Sequence, residues 1–395
     1  MIVMKRKIAK RQNQPPPSPL LRSRGEKRVL IALSGGIDSA VSAHLLIKQG
    51  YTVEAAFMKN WTSQEGLLKN ECPWLEDRRE ALRVAGFLNI PLHTLDFEKQ
   101  YQATVMKYFF NEYKAGRTPN PDVMCNKEIK FKLLYNWAMK NGFYYLATGH
   151  YGQVVSSKLV SGKQKKKNIY NSTTYSLQRS VDEFKDQTYF IYNIKTEQLP
   201  HVLFPIGGFK KDQVRKLAKK IGLPNAERKE SMGLCFVGKI RLKDFLKQKL
   251  KGKKGKIMGE KGVIGYHDGL HNYTIGQRQG IKVGGNAGPY YVVSKDLKTN
   301  TLYVTNNPED ERLFVKEVQL HSVNWINQLI SQSANKPISL QGRYRHQGEL
   351  VPLTILPLDK KHYQVIFKKP QKAVASGQSL VLYKGRECVG GGVIG

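Results

Sequence analysis

Three short stretches of this chain carry residues that could do chemistry together. In the first, the apolar run Val29–Leu33 leads into Ser34-Gly35-Gly36, and Asp38-Ser39 then opens a segment with Val41, Leu45 and Leu46 on one face. That order predicts a strand, a tight turn and a helix. Paired glycines let the backbone approach a ligand closely. The hydroxyls of Ser34 and Ser39 and the first-turn N–H groups then favour an anion. The lysine of a G-x-x-x-x-G-K-[ST] loop is absent. The second stretch is Gly116-Arg-Thr-Pro-Asn-Pro-Asp122-Val-Met-Cys125-Asn-Lys-Glu-Ile-Lys-Phe131. Pro119 and Pro121 stiffen the approach to a helix. Asp122 and Cys125, three residues apart, fall on one side of it. A thiol there, near Arg117, Lys127 and Lys130, is expected to have a lowered pKa, with Asp122 able to pass a proton. The third is Glu230-Ser-Met-Gly-Leu-Cys235-Phe-Val-Gly238, where flanking glycines allow an exposed thiol on a mobile loop. Buried structural cysteines are the alternative reading at both positions.

The elements that position these stretches alternate. After the first helix, Gly50 caps it and a second strand ends near Met58. A charged helix near 76–89, a strand at 92–95, a helix near 101–114, a helix from about 126 to 140 and a strand at 144–147 follow. This pattern predicts a doubly wound α/β domain with a parallel sheet over residues 26–225. In such sheets ligands bind beyond the carboxyl ends of the strands, where Ser34–Ser39, Met58 and Thr148–His150 all fall. A hairpin with Lys163–Lys167 at its tip interrupts the pattern. Beyond residue 226 short strands broken by glycine predict a small, mostly β connector (226–307) with one helix at 242–250. An antiparallel β-barrel (308–395) follows.

Length and charge set further bounds. The 395 residues suffice for two or three domains. A formal charge of +34, from 65 Lys+Arg against 31 Asp+Glu, points to a polyanionic partner. No apolar run is long enough to span a bilayer, so no membrane partner is expected. The four cysteines, Cys72, Cys125, Cys235 and Cys388, form no C-x-x-C pair. Zinc ribbons, iron–sulfur clusters and a secreted disulfide scaffold are therefore disfavoured, and no protein-held metal is expected. Residues 1–25 are basic and acid-free with a proline cluster. They read either as a transit peptide, giving a mitochondrial location, or as a disordered basic arm on a cytoplasmic protein.

The phosphate turn resembles the SGGxDS loop of ATP pyrophosphatases. Taken in order, SGGIDS, TPNPDVMCNKEIKF, ATGHY (147–151), KDQTYF (185–190), ESMGLCFVG and YTIGQRQGI (273–281) closely resemble the tRNA-specific 2-thiouridylases, bacterial and mitochondrial. The likeness runs from residue 27 to Gly392. It implies that ATP, with Mg²⁺, lies against Ala32, Leu33, Ser34, Gly35, Gly36, Ile37, Asp38 and Ser39, with Met58 and Gly149 lining the adenosine. It implies that Asn120, Pro121 and Asp122 face the target base. Cys125 corresponds to the nucleophile, Cys235 to the persulfide carrier and Asp122 to the acid/base. Lys185, Asp186, Gln187, Arg343 and Tyr344 correspond to tRNA contacts. The implied partners are tRNA and a protein that donates sulfur. Departures are Ala32-Leu33 at the loop start, Ile37, and Met232 where the pattern has threonine, which removes a hydroxyl beside Cys235.

The implied reaction is adenylation of the 2-oxygen of the wobble uridine, then sulfur delivery from the Cys235 persulfide. Either Cys125 frees sulfide beside the activated carbon, or the persulfide attacks directly. Two rivals stand beside it. One is another tRNA-modifying ligase with the same ATP loop, which has no need of two thiols. The other is a non-catalytic RNA-binding protein, which has no need of Ser34–Ser39.

Overall fold

The computed structural model describes residues 27–62, 73–158, 173–229, 245–246, 249–281, 283, 289–333, 335–359 and 361–395. The run Arg28–Ala32 forms strand β1, and Ile37–Lys48 forms helix α1 directly after the glycine turn. Strands β2 (Thr52–Lys59), β3 (Leu92–Asp96), β4 (Tyr145–Thr148) and β7 (Val202–Leu203) complete a parallel sheet in the order β3-β2-β1-β4-β7. Val29, Leu30 and Ile31 are fully buried, as both faces of such a sheet demand. Helix α2 (Pro73–Phe87) and α1 cover one face, while helices 98–114 (α3) and 121–140 (α4) cover the other. The chain runs outward from β1 to β3 and then returns to β4. The crevice beyond β1 and β4 is therefore the switch point at which such sheets bind ligands.

The predicted hairpin is β5 (Gly152–Lys158) and β6 (Thr173–Arg179). It leaves the α/β sheet and pairs with the last strand of the chain, Leu177 opposite Cys388. Helix α5 (Lys211–Lys220) closes the first segment against α1. Four strands make the connector sheet: β8 (Gly255–Gly259), β9 (Gly262–His267), β10 (Tyr291–Asp296) and β11 (Thr301–Thr305). The strand expected at 273–275 is irregular backbone instead. Gly276 there turns with φ +78° against Ala373. Most of the helix expected at 242–250, and the tip of the hairpin at 163–167, lie outside the described residues.

The C-terminal barrel is formed by β12 (Phe314–Trp325), β13 (Ile338–Arg343), β14 (Val351–Pro357), β15 (His362–Lys372), β16 (Ser379–Lys384) and β17 (Glu387–Ile394). Pairing of β12 with both β15 and β17 closes the six strands. Sequence reading does not mark β17 as a strand, because three successive glycines have low strand preference. Their use is spatial. A Cβ on Gly391 would stand 2.9 Å from the Tyr192 ring, and one on Gly390 would meet the Asn324 carbonyl. Removing side chains lets β17 press against β12 and the α/β segment together. Leu177, Tyr192, Val381 and Tyr383 accordingly share one apolar cluster, so the first segment and the barrel have a common core. Among the described residues no helix is long and apolar enough to cross a membrane.

Candidate functional site

The glycine turn shapes the site from its own backbone. Gly35 takes φ +77°, and a Cβ there would stand 2.5 Å from the Asp77 carbonyl oxygen. The Ser39 hydroxyl donates to the Gly36 carbonyl at 3.0 Å and accepts from Ser34 N–H at 3.3 Å, closing the turn across the start of α1. From outside, Asn225 Nδ2 and Arg228 Nη1 donate to the Gly35 carbonyl at 2.8 and 3.0 Å, and Arg228 also pairs with Asp77 at 2.6 Å. On the facing strand end, Gly149 comes so near α1 that a Cβ would lie 2.7 Å from Ser39 N.

A cavity of about 320 Å³ opens here, lined by Ala32, Ser34, Gly36, Ile37, Asp38, Ser39, Met58 and Gly149 among others. Leu33 and Gly35 do not line it: Leu33 packs into the core, and Gly35 turns its carbonyl to Asn225 and Arg228. The cavity is strongly cationic. Lys130, Lys185, Lys211, Arg228 and Lys229 lie on its wall, while Asp38 is the one carboxylate among the lining residues named. Asp38 is held by Lys211 Nζ at 2.7 Å and by the Tyr151 hydroxyl at 3.0 Å. Sequence reading missed Lys211, Arg228 and Lys229, which stand in no quoted motif and are brought in by the fold, and it passed over Tyr151 at the end of the ATGHY stretch.

His150 is also part of this wall. It is buried, with Thr148 Oγ1 at 2.7 Å from Nδ1 and Lys130 Nζ at 3.4 Å from Nε2. Burial first, and Lys130 second, hold its pKa well below that of an ordinary histidine. Because an ammonium can only donate, this geometry suits a tautomer with Nε2 as acceptor and Nδ1 as donor to the hydroxyl.

Asn120 caps α4, its Oδ1 accepting from Val123 N–H at 3.2 Å, with Pro121 in the first turn. The loop before it is held from three directions. Thr118 N–H donates to the Ser376 carbonyl at 2.9 Å, and the Thr118 hydroxyl meets that of Thr274 at 3.1 Å. Gln378 Nε2 donates to the Thr118 carbonyl at 2.8 Å. Asn120, Pro121 and Asp122 thus follow a loop held where the α/β domain, connector and barrel meet. Asp122 is partly buried one turn before Cys125.

Cys125 is only 2% exposed, packed among Tyr101, Val105, Phe109, Ile129 and Phe245. Two of the cations expected to activate it are engaged elsewhere. Arg117 makes two bonds of 2.6 Å to Glu112, and Lys130 faces His150. The thiol is buried and must be uncovered before it can react. Met58 connects the two halves of the site, lining the nucleotide cavity while packing against the Cys125 cluster. From residue 126 α4 widens into a π-type stretch, Asn126–Leu134, that carries Lys130 to the cavity wall.

Cys235 lies outside the described residues, as do Cys72, Met232 and residues 1–25. Described residues earlier and later in the chain than Cys235 lie at the site. Arg228 grips the phosphate turn, and Phe245 stacks on Phe110 at 5.9 Å within the Cys125 cluster. Cys235 is the seventh residue after Arg228, a reach of up to about 25 Å.

The residues matched to tRNA contacts divide. Lys185 and Gln187 line the nucleotide cavity. Asp186 and Arg343 are buried instead, paired at 2.9 Å with side chains 0% and 7% exposed. Such a pair binds the barrel to the α/β domain, and removal of one partner of a buried pair costs about 3–5 kcal/mol. Tyr344 is also buried, its ring in the barrel core against Phe367. Cys388 is buried as well, and desolvation pushes its thiol pKa far up, which suits a structural role. Among the described residues no group of three or more His, Cys, Asp or Glu could hold a metal ion.

Comparison with known proteins places this geometry. Residues 27–239 match a family described as the tRNA methyl transferase HUP domain, 243–306 the tRNA methyl transferase PRC-barrel domain, and 315–394 the aminomethyltransferase beta-barrel domain. The tRNA-specific 2-thiouridylase MnmA of Bacillus cytotoxicus is 42% identical over 372 residues, which cover 93% of this chain and 95% of that protein. The tRNA-specific 2-thiouridylase MnmA 2 of Geobacillus kaustophilus has the same identity and coverage. Among solved structures, a 4-thiouridine synthetase–RNA complex with bound ATP is 18% identical with a TM-score of 0.32, covering 52% of this chain and 43% of that one. The NMN synthetase of Francisella tularensis is 20% identical at 0.29, covering 52% and 65%. Likenesses that loose say nothing about substrate.

Proposed function

The chain belongs to the tRNA-specific 2-thiouridylase family, and from that premise we propose that it replaces the 2-oxygen of the tRNA wobble uridine with sulfur, using ATP. The observation that carries the reading is the pairing of a cationic, glycine-built cavity at the sheet's switch point with a three-domain loop that leads into Asp122 and Cys125. The cavity suits a nucleotide's phosphates in size and sign. Mg²⁺ would arrive on those phosphates, and Asp38 is the carboxylate among the lining residues that fits it. Methyl transfer, the chemistry in the wording of two of the family models, would leave this anion site without a use.

In the proposed reaction the uridine 2-oxygen attacks the α-phosphorus of ATP and pyrophosphate leaves. The N–H groups of the turn and the surrounding cations stabilise the departing charge. Cys235 carries a sulfane sulfur loaded by a persulfide-donating protein. Transfer of that sulfur to C2 expels AMP with the old oxygen. The Cys125 thiolate takes Cys235 Sγ as the persulfide S–S bond breaks, leaving a Cys125–Cys235 disulfide that a dithiol reductant resets. Cys125 must emerge from its core for this.

Incubating the full chain with tRNA, ATP and a persulfide donor tests the reading. Nucleoside mass analysis is expected to show 2-thiouridine, with AMP formed in step. Bound tRNA with no change in mass would favour a non-catalytic RNA-binding protein. We also propose that residues 1–25 direct the chain to mitochondria, although the two relatives described above are bacterial. A reporter carrying these residues that stays in the cytosol would remove that assignment.

A further inference from the structure

Phe184 is 66% exposed, the most exposed of the aromatic side chains among the large apolar residues at the described surface. Single exposed apolar residues are common, so exposure alone means little. Its setting is unusual. The turn that carries it is rigid: Lys185 N–H donates to Asp182 Oδ1 at 3.1 Å, and Lys211 N–H donates to Asp182 Oδ2 at 2.9 Å. Ser180 N–H donates to the buried Asp186 at 3.2 Å. The barrel holds it too, since Gln347 Nε2 donates to the Phe184 carbonyl at 3.2 Å. A flexible loop could fold an apolar ring away from water, whereas this one is fixed with its ring outward.

The position matters as much. The next residue, Lys185, lines the nucleotide cavity, and its ammonium stands 5.9 Å from the Phe184 ring. Across the junction the barrel turn presents Arg345, exposed, two residues before Gln347. The turn that carries the ring therefore lies between Lys185 at the cavity wall and the barrel turn that holds Arg345. Single-stranded RNA is held in this way, its phosphates by cations and its unstacked bases on aromatic faces.

We propose that Phe184 is a stacking platform for a base adjacent to the target uridine in the tRNA anticodon loop. The assignment rests on the thiolation reading above and deepens it. A uridine drawn into the cavity leaves its neighbours without a stacking partner, and a fixed ring next to Lys185 of the cavity wall supplies one. The contact is tolerant of base identity, because every base has a π face.

The test uses the full chain and an unmodified anticodon stem-loop RNA. Phe184→Ala is expected to weaken RNA affinity about tenfold, within the range found for loss of one stacking ring, while ATP affinity stays at the wild-type value. Phe184→Leu, which keeps apolar bulk without a π face, should lose as much. Phe184→Trp should retain affinity, and its fluorescence should be quenched by the stem-loop but not by a blunt duplex. Wild-type affinity in both the Ala and Leu variants, with wild-type protein active in thiolation, overturns the platform and leaves the function standing. A change confined to self-association also overturns it, assigning the ring to a second copy of the chain. Wild-type protein that neither binds nor thiolates the RNA overturns both.

Discussion

Residues 34–39 are closed by short-range bonds inside the turn, where Ser39 reaches back to Ser34 and Gly36, and are braced from outside by Asn225, Arg228 and Lys211. Residues 118–120 are held through Thr274, Ser376 and Gln378, each more than a hundred and fifty residues away. The difference has a chemical sense. Phosphates are the same in every ATP molecule, and a turn of backbone N–H groups suffices to grip them. A tRNA base arrives on a large, curved molecule that touches several domains. A loop assembled from those domains can be complete only when they are correctly placed against one another.

The comparison predicts that the two regions can be broken separately. Cys125→Ser acts on the base side alone. It is expected to lower thiolation on the order of a thousandfold or more, because a hydroxyl cannot replace a thiolate in sulfur exchange. ATP affinity, measured by calorimetry, should not change. An equal loss of ATP binding would mean that the two regions are one unit, joined through Met58.

Gly149→Ala acts on the phosphate side alone. Its new methyl group would stand 2.7 Å from Ser39 N, against backbone that cannot yield easily. Overpacking of this kind costs about 1–3 kcal/mol. ATP affinity should fall while stem-loop RNA affinity holds, as measured by titration of each ligand.

A smaller effect separates the regions by pH. His150 has a pKa lowered by burial, so the unfolded chain takes up a proton that the folded chain refuses. Stability therefore falls as pH drops below the ordinary histidine value near 6.5, by up to about 1.4 kcal/mol per unit from this residue. Above that value its contribution is constant. His150→Gln should flatten this slope in urea unfolding measured between pH 7 and 5. An unchanged slope would show that the ring is not the source.

The same contrast governs what could be read from sequence. The phosphate turn is legible because its strand, glycines and helix are neighbours in the chain. The parallel sheet follows from the alternation of such units, and the closed barrel from short, evenly spaced strands. Lys211 and Arg228 are not legible as cavity residues, for they reach Asp38 and Gly35 from more than 170 residues away. The resemblance matches Asp186 and Arg343 to tRNA contacts, yet the two pair with each other and both are buried. The three glycines of β17 conceal a strand whose purpose, close approach to β12 and Tyr192, exists only in the assembled fold. Two of the three cations expected near Cys125 are engaged elsewhere for a similar reason, Arg117 by Glu112 and Lys130 by His150.

The fate of one oxygen atom tests the central claim most directly. A stem-loop RNA carrying ¹⁸O at the 2-position of the target uridine is incubated with the protein, ATP and a persulfide donor, and the AMP released is analysed by mass. The account predicts that the heavy oxygen appears in the phosphate of AMP as 2-thiouridine forms. Unlabelled AMP, with the heavy oxygen kept in the RNA or released to water, would contradict it.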